Sequence, residues 1–181
     1  ADVKGACYFL DAAGVGICRI PDNAWIGNAI EGHTHAVVFL LEHGRIAETG
    51  NQARAWTSGN EKQSAALSAN EIATVVSGHI RALGFAAQGH IPGHGSVDAE
   101  RLAVMSGLAV RTKEGLCHPH IGTRFSVGVI TTAYDLPCDT ALDPKALKEF
   151  RFGFWAGMHG GKSGREQARQ AKRLTHMGKY P

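Results

Sequence analysis

HAVVFLLEHG, His35 to Gly44, carries an unbroken apolar run from Ala36 to Leu41, bounded by polar residues and a glycine. A strand with water on one face alternates apolar and polar side chains, so a continuous run predicts a strand buried on both faces. Such a strand lies inside a sheet that is covered on each side, and the surrounding chain must supply both covers.

Upstream, Val3 to Ala13 reads as the end of a short helix closed by Gly14, and VGICRI, Val15 to Ile20, as an early strand ended by Pro21 and Asp22. Downstream from Thr57 the period changes. Ala65, Leu67, Ile72, Val75, Val76, His79, Ile80 and Leu83 recur at steps of three and four, which predicts one long amphipathic helix with Gly84 as its C-cap and these residues on its buried face. FAAQGHI then reads as a short strand, PGHGS as a turn, and Val97 to Met105 as a helix with Ser96 as N-cap and Gly107 as stop. RFSVGVITTAY, Arg124 to Tyr134, is a second clear strand, rich in β-branched residues. From Pro144 onward a helix, a glycine-rich break at GMHGGKSG and a basic terminal helix are expected. Strands separated by helices in this order predict an α+β sandwich, a mixed β-sheet flanked by helices.

The composition fits one domain with a real core: 181 residues, 44% hydrophobic and 19% charged, enough to bury roughly 70% of the unfolded surface. The net charge is only +3, but Lys162, Arg165, Arg169, Lys172, Arg173 and Lys179 crowd the end, with Glu166 the single acid among them. Without interleaved aromatic rings that tail reads as a solvated helix and not as a nucleic-acid surface. Cys7, Cys18, Cys117 and Cys138 form no C-x-x-C pair, so the usual zinc and cluster spacings are absent. Separate reduced thiols point to a cytoplasmic protein. No apolar stretch approaches the ~18 residues of a membrane span, and no leader pattern opens the sequence.

Several motifs invite chemistry. His33-Thr34-His35 and His118-Pro119-His120 place imidazoles two apart, and His90 and His94 flank a Pro-Gly turn. Imidazole is a common metal ligand, yet no acid stands at a familiar offset, and structural histidines are the commoner outcome. No G-x-S-x-G or Walker loop occurs. The loop between Gly107 and Arg124 differs from these, because its glycines expose backbone amides beside Arg111, Lys113 and Arg124, a combination able to hold an anionic cofactor tail.

The order of elements resembles the cobalamin-binding core shared by reductive dehalogenases and epoxyqueuosine reductases, a nitroreductase-like sandwich. The resemblance rests on the helix ending HIRALGFAA, on the loop from Gly107-Leu108 through Lys113, Gly115-Leu116, Pro119, Gly122 and Arg124, and on the strand VGVITTAYDLP, Val127 to Pro137. The departures are Ala109 and Thr112 in place of loop glycines, and Thr132 where a strand-end aspartate is usual.

The resemblance implies a nitroreductase-like core over 1–143, followed by a basic helical segment over 144–181 that leads to a further domain. It implies a module of a cobalamin-dependent oxidoreductase, most simply one reducing an organohalide, with Gly107, Leu108, Gly115, Leu116 and Gly122 as the cofactor-binding backbone. A tyrosine acid with a basic neighbour supplies the proton in that chemistry, which makes Tyr134, Lys113 and Arg124 the catalytic candidates. Iron-sulfur clusters are expected only in a following domain or a partner protein, since this chain has no cluster-ligand run; a homodimer is a further candidate assembly. Two alternatives stand beside this one: a duplicated, non-catalytic core packed on a catalytic domain, and a flavin-dependent nitroreductase relative.

Overall fold

The computed structural model of the protein describes residues 2–44, 47–57, 59–93, 95–113 and 115–144. The C-terminal helical segment expected beyond Pro144 lies outside them. The chain divides into two compact units: Ala1–Leu108 with Arg124–Ala141, and a second that takes Ala109–Thr123 and resumes at Leu142.

The larger unit is built on a four-stranded sheet. Its strands are β1 (Gly14–Arg19), β2 (His35–Glu42), β3 (Ala87–His90) and β6 (Phe125–Thr132), in the spatial order β1-β2-β6-β3. Every pairing in it is antiparallel, which corrects the expectation of a mixed sheet while leaving the α+β sandwich intact. Apart from its last residue β2 is buried throughout, as its continuous apolar run predicts.

The register sorts the side chains. Val37, Phe39 and Leu41 share one face with Val15, Ile17 and Ile130, and join a core built with the helices α1 (Val3–Phe9) and α3 (Asn60–Ala82). Ala36, Val38 and Leu40 turn to the other face, the side of helix α4 (Ala99–Met105), where Leu102 and Ala103 are buried. A short helix α2 (Ala53–Thr57), exposed throughout, precedes α3.

Three local expectations need correction. Helix α3 buries Ala65, Ala69, Ile72, Ala73, Val76, Ser77 and Ile80, while Leu67, Val75, His79 and Leu83 face outward. The buried stripe follows the small alanines, because a helix lying close over a sheet needs small residues at the contact. The N-cap of α4 is Asp98, whose carboxylate accepts the Arg101 N–H at 3.0 Å. Ser96 cannot serve, since its carbonyl accepts the Ile26 N–H at 2.8 Å and Val97 bridges Trp25, holding the chain extended there. Helix α1 stops at Phe9, and Gly14 already opens β1.

At the sheet centre Phe39 faces Gly128 across the β2–β6 ladder, and a Cβ built on Gly128 would overlap the Phe39 ring. The glycine is therefore needed for space. Gly128→Ala is expected to cost roughly 1–3 kcal/mol of stability through overpacking. Adding Phe39→Leu should recover part of that loss. Urea unfolding of the single and double variants measures both, and an unchanged midpoint for the alanine variant would refute the contact.

Candidate functional site

The apolar strands end in polar groups at one end of the sheet. Thr131, fully buried, lies between two imidazoles: its Oγ1 is 2.8 Å from His33 Nδ1 and 2.8 Å from His90 Nε2. One hydroxyl can donate to one ring and accept from the other, so the three groups form a short hydrogen-bonded chain. Burial lowers the pKa of both imidazoles, and the charge of His33 lowers that of His90 further.

The next residue, Thr132, closes the strand. Its hydroxyl donates to Ala86 O at 2.7 Å and accepts the Tyr134 N–H at 3.0 Å. Tyr134 is thereby fixed just beyond β6, where its ring stacks on Phe85 at 4.1 Å with planes 9° apart. His35, also buried, bonds Thr34 Oγ1 at 2.9 Å and lies 3.4 Å from Asp135, whose carboxylate is exposed. Burial lowers the His35 pKa, with Asp135 opposing and Arg19 assisting. His33 and His35 thus take separate partners instead of presenting a joint ligand pair. Among the described residues no three His, Cys, Asp or Glu side chains gather as a metal-ligand set.

Arg124 lies at the other end of β6. Its Nη2 donates to Gly44 O at 2.5 Å and its carbonyl accepts the His43 N–H at 2.9 Å. With β6 between them, Arg124 and Tyr134 are separated by about 25 Å at ~3.3 Å per residue. The structure does not bring these two candidates together. A cleft of about 740 Å³ at that end, lined by Leu10, Asp11, Leu41, Glu61, Ala65 and Ile72 among others, is bordered by none of the expected site residues.

Gly107 and Leu108 cap α4. The Gly107 N–H donates to Val104 O at 3.2 Å and the Leu108 N–H to Ala103 O at 3.0 Å, with Gly107 at φ 73°. This is the paired bonding that ends a helix on a left-handed glycine. A Cβ on Gly107 would meet the Thr140 carbonyl, and Leu108 is buried.

The second unit holds the rest of the loop. Val110–Thr112 (β4) and Gly115–Cys117 (β5) form a two-stranded antiparallel hairpin, which the sequence did not lead us to expect. Lys113 is exposed at its turn and Leu116 is half-buried on β5. His118 and Gly122 exchange backbone hydrogen bonds at 2.8 and 2.9 Å. The His118 Nδ1 accepts the N–H groups of His120 and Ile121, each at 3.2 Å. Its lone pair is therefore taken up inside the loop. Burial, and then the charge of His120, push its pKa down to about 4.

Cobalamin is the group that the resemblance implies, and the loop fits it only in part. Gly115 and Gly122 have positive φ, and among the described residues nothing lies within 4 Å of a Cβ built on either, but the Gly122 N–H and carbonyl are both bonded to His118 and the Gly115 carbonyl accepts from Thr112 Oγ1 at 2.8 Å. Gly107 and Leu108 do not fit: one is closed by the chain's own carbonyl, and the other is buried side-chain packing. The described residues of this chain make no complete cradle.

No protein-family model and no curated protein matches the chain. Solved structures do. A reductive dehalogenase whose structure suggests a mechanism for B12-dependent dehalogenation is 40% identical over 78% of this chain and 20% of its own, with a TM-score of 0.74. A catabolic reductive dehalogenase in complex with 3-bromo-4-hydroxybenzoic acid is 38% identical over 99% of this chain and 26% of its own, also at 0.74. An epoxyqueuosine reductase shares the fold at 9% identity, over 78% of this chain and 47% of its own, at 0.63. The resemblance to reductive dehalogenases therefore holds in both sequence and fold. The chain spans only about a fifth to a quarter of those dehalogenases, by the 20% and 26% covered.

What sequence reasoning missed here is the hydrogen bonding of Thr131 and Thr132, and Asp139 altogether. The two threonines closing an apolar strand were a visible signal, since hydroxyls buried in a sheet must find partners. Asp139 gave none, because its partner Ile17 is 122 residues away.

The folded protein holds these imidazoles below the ordinary value of 6.5. As the pH falls through that value the unfolded chain takes up protons first, so stability present above pH ~6.5 is lost below it. The urea midpoint is expected to fall between pH 7.5 and pH 5. Thr131→Val, which leaves two ring nitrogens without their partner, is expected to cost roughly 1–3 kcal/mol at pH 7.5; a flat pH profile together with a neutral valine variant would overturn the network.

Proposed function

We propose that this chain, similar along most of its length to the reductive dehalogenases, is a module of a cobalamin-dependent oxidoreductase that removes halide reductively from a small organohalide. The observation that carries this reading is the coincidence of 40% identity with a shared sandwich fold. In such an enzyme cobalamin supplies low-valent cobalt as the reductant, and protein groups bind the substrate and deliver a proton. Electrons would come from an iron-sulfur domain or protein.

Tyr134, Lys113 and Arg124 are the candidate proton-handling groups. Arg124 donates to Gly44 O at the end of β6 opposite to Tyr134. Tyr134 suits the acid's role better, its backbone being held by Thr132 and its ring stacked on Phe85.

A second reading is a non-catalytic copy of the core, packed on a catalytic domain. The use of Gly107 and Leu108 as helix cap and core packing favours it.

Titrating the full chain with hydroxocobalamin, followed by absorption and calorimetry, separates the two. Saturable one-to-one binding at about micromolar affinity or tighter supports a cofactor-carrying module. No spectral change and no heat would exclude cofactor binding by this chain and leave the non-catalytic copy.

A further inference from the structure

Strand β1 is an edge strand, and the chain following β6 covers its free edge. The Asp139 N–H donates to Ile17 O at 2.8 Å, and the Ile17 N–H donates to Asp139 Oδ2 at 2.7 Å. Lys4 Nζ holds the same carboxylate at 2.6 Å. The residues beside this pair, one on each segment, are both cysteines: Cys18 on β1, and Cys138.

Side chains alternate along extended chain. Ile17 packs into the core shared with α1, and Asp139 turns to Lys4 of that helix. Cys18 accordingly turns to the opposite face, where its Sγ donates to Leu102 O of α4 at 3.7 Å. The Asp139 N–H bond to Ile17 O joins the peptide between Cys138 and Asp139 to the peptide between Ile17 and Cys18, which brings the two cysteine backbones side by side, the arrangement that a disulfide with its Cα–Cα span of ~4.4–6.8 Å requires. Cys18 is buried, whereas Cys138, whose Sγ donates to Leu136 O at 3.7 Å, is exposed and open to a reagent.

We propose that Cys18 and Cys138 are a redox-responsive pair, which a small-molecule disulfide such as oxidised glutathione converts to an intramolecular disulfide that fastens the segment after β6 to β1. The Cys138 thiolate attacks the reagent and expels one glutathione thiolate, giving a mixed disulfide on Cys138. The Cys18 thiolate then attacks the Cys138 Sγ and expels the second. Two protein thiols lose two electrons and two protons, and the reagent is reduced to two thiols. Burial, assisted by the charges of Cys138 and Asp139, pushes the Cys18 thiol up to about 12. The closing step is therefore slow at neutral pH and should accelerate about tenfold per pH unit below that value.

The full chain is treated with oxidised glutathione at pH 7 and pH 9, trapped with an alkylating agent, and mapped by mass spectrometry without reduction. The expected result at pH 9 is a peptide containing Cys18 linked to the one containing Cys138. Cys7 lies in the same tryptic peptide as Cys18, so fragment spectra assign the bridge. At pH 7 the mixed disulfide on Cys138 should accumulate ahead of ring closure. Cys138→Ala, an exposed change that leaves the fold intact, should abolish the link, and Cys117→Ala should preserve it. A mixed disulfide that persists at pH 9, or a bridge from Cys138 to any other cysteine, would overturn the proposal.

Discussion

Burial of the central strand pair on both faces is the constraint that organises the larger unit. A strand so placed cannot discard side chains into water, so every residue of β2 from His35 to Leu41 must find packing or a partner. Its consequences reach outward. Phe39 fills its face only because Gly128 leaves room opposite, and α3 covers the same face with Ala65, Ala69 and Ala73 at the contact. β6 is less buried at Phe125–Val127 because β3 is short and pairs only with Val129–Thr132.

The same constraint explains where polarity enters. Inside the sheet most backbone groups are satisfied by the ladders, so a side-chain hydroxyl or imidazole is tolerated there only where it finds a partner of its own. Thr131 with His33 and His90, and Thr132 with Ala86 and Tyr134, meet this condition at a single end of the sheet. These contacts hold Tyr134 and Phe85 in a fixed stack at the rim. The exposed Asp135 adds the nearest carboxylate to a buried imidazole there. The result is an ordered polar edge assembled from β3, β6 and the entry to β2.

Similarity to the reductive dehalogenases and the local use of the loop pull in different directions. Identity of 40% over most of the chain is a statement about ancestry and fold. The duty of an individual glycine is decided by its neighbours. Gly107 supplies the left-handed residue that ends α4, while Gly115 and Gly122, with the same freedom of φ, have open space beside them. One loop pattern therefore contains a glycine that ends a helix against its own chain and glycines that close a hairpin and a tight turn.

The main strands were legible in the sequence because period and length are written locally: the run at Ala36–Leu41, the β-branched stretch after Arg124, and the long helix before Gly84 all stand in the structure. The helix face was only partly legible, since Leu67 and Val75 are as apolar as Ile72 yet point outward, and alanine carries little hydrophobic signal. The short hairpin at Val110–Cys117 escaped because three-residue strands are too brief to show a period. By itself the sequence determined the sandwich class and its resemblance to a family. Only the tertiary structure decided which strands pair antiparallel, which histidines share Thr131, that Arg124 and Tyr134 stand at opposite ends of one strand, and that Asp139 binds Ile17. Those outcomes depend on contacts between residues tens to more than a hundred positions apart, and local sequence pattern carries no record of them.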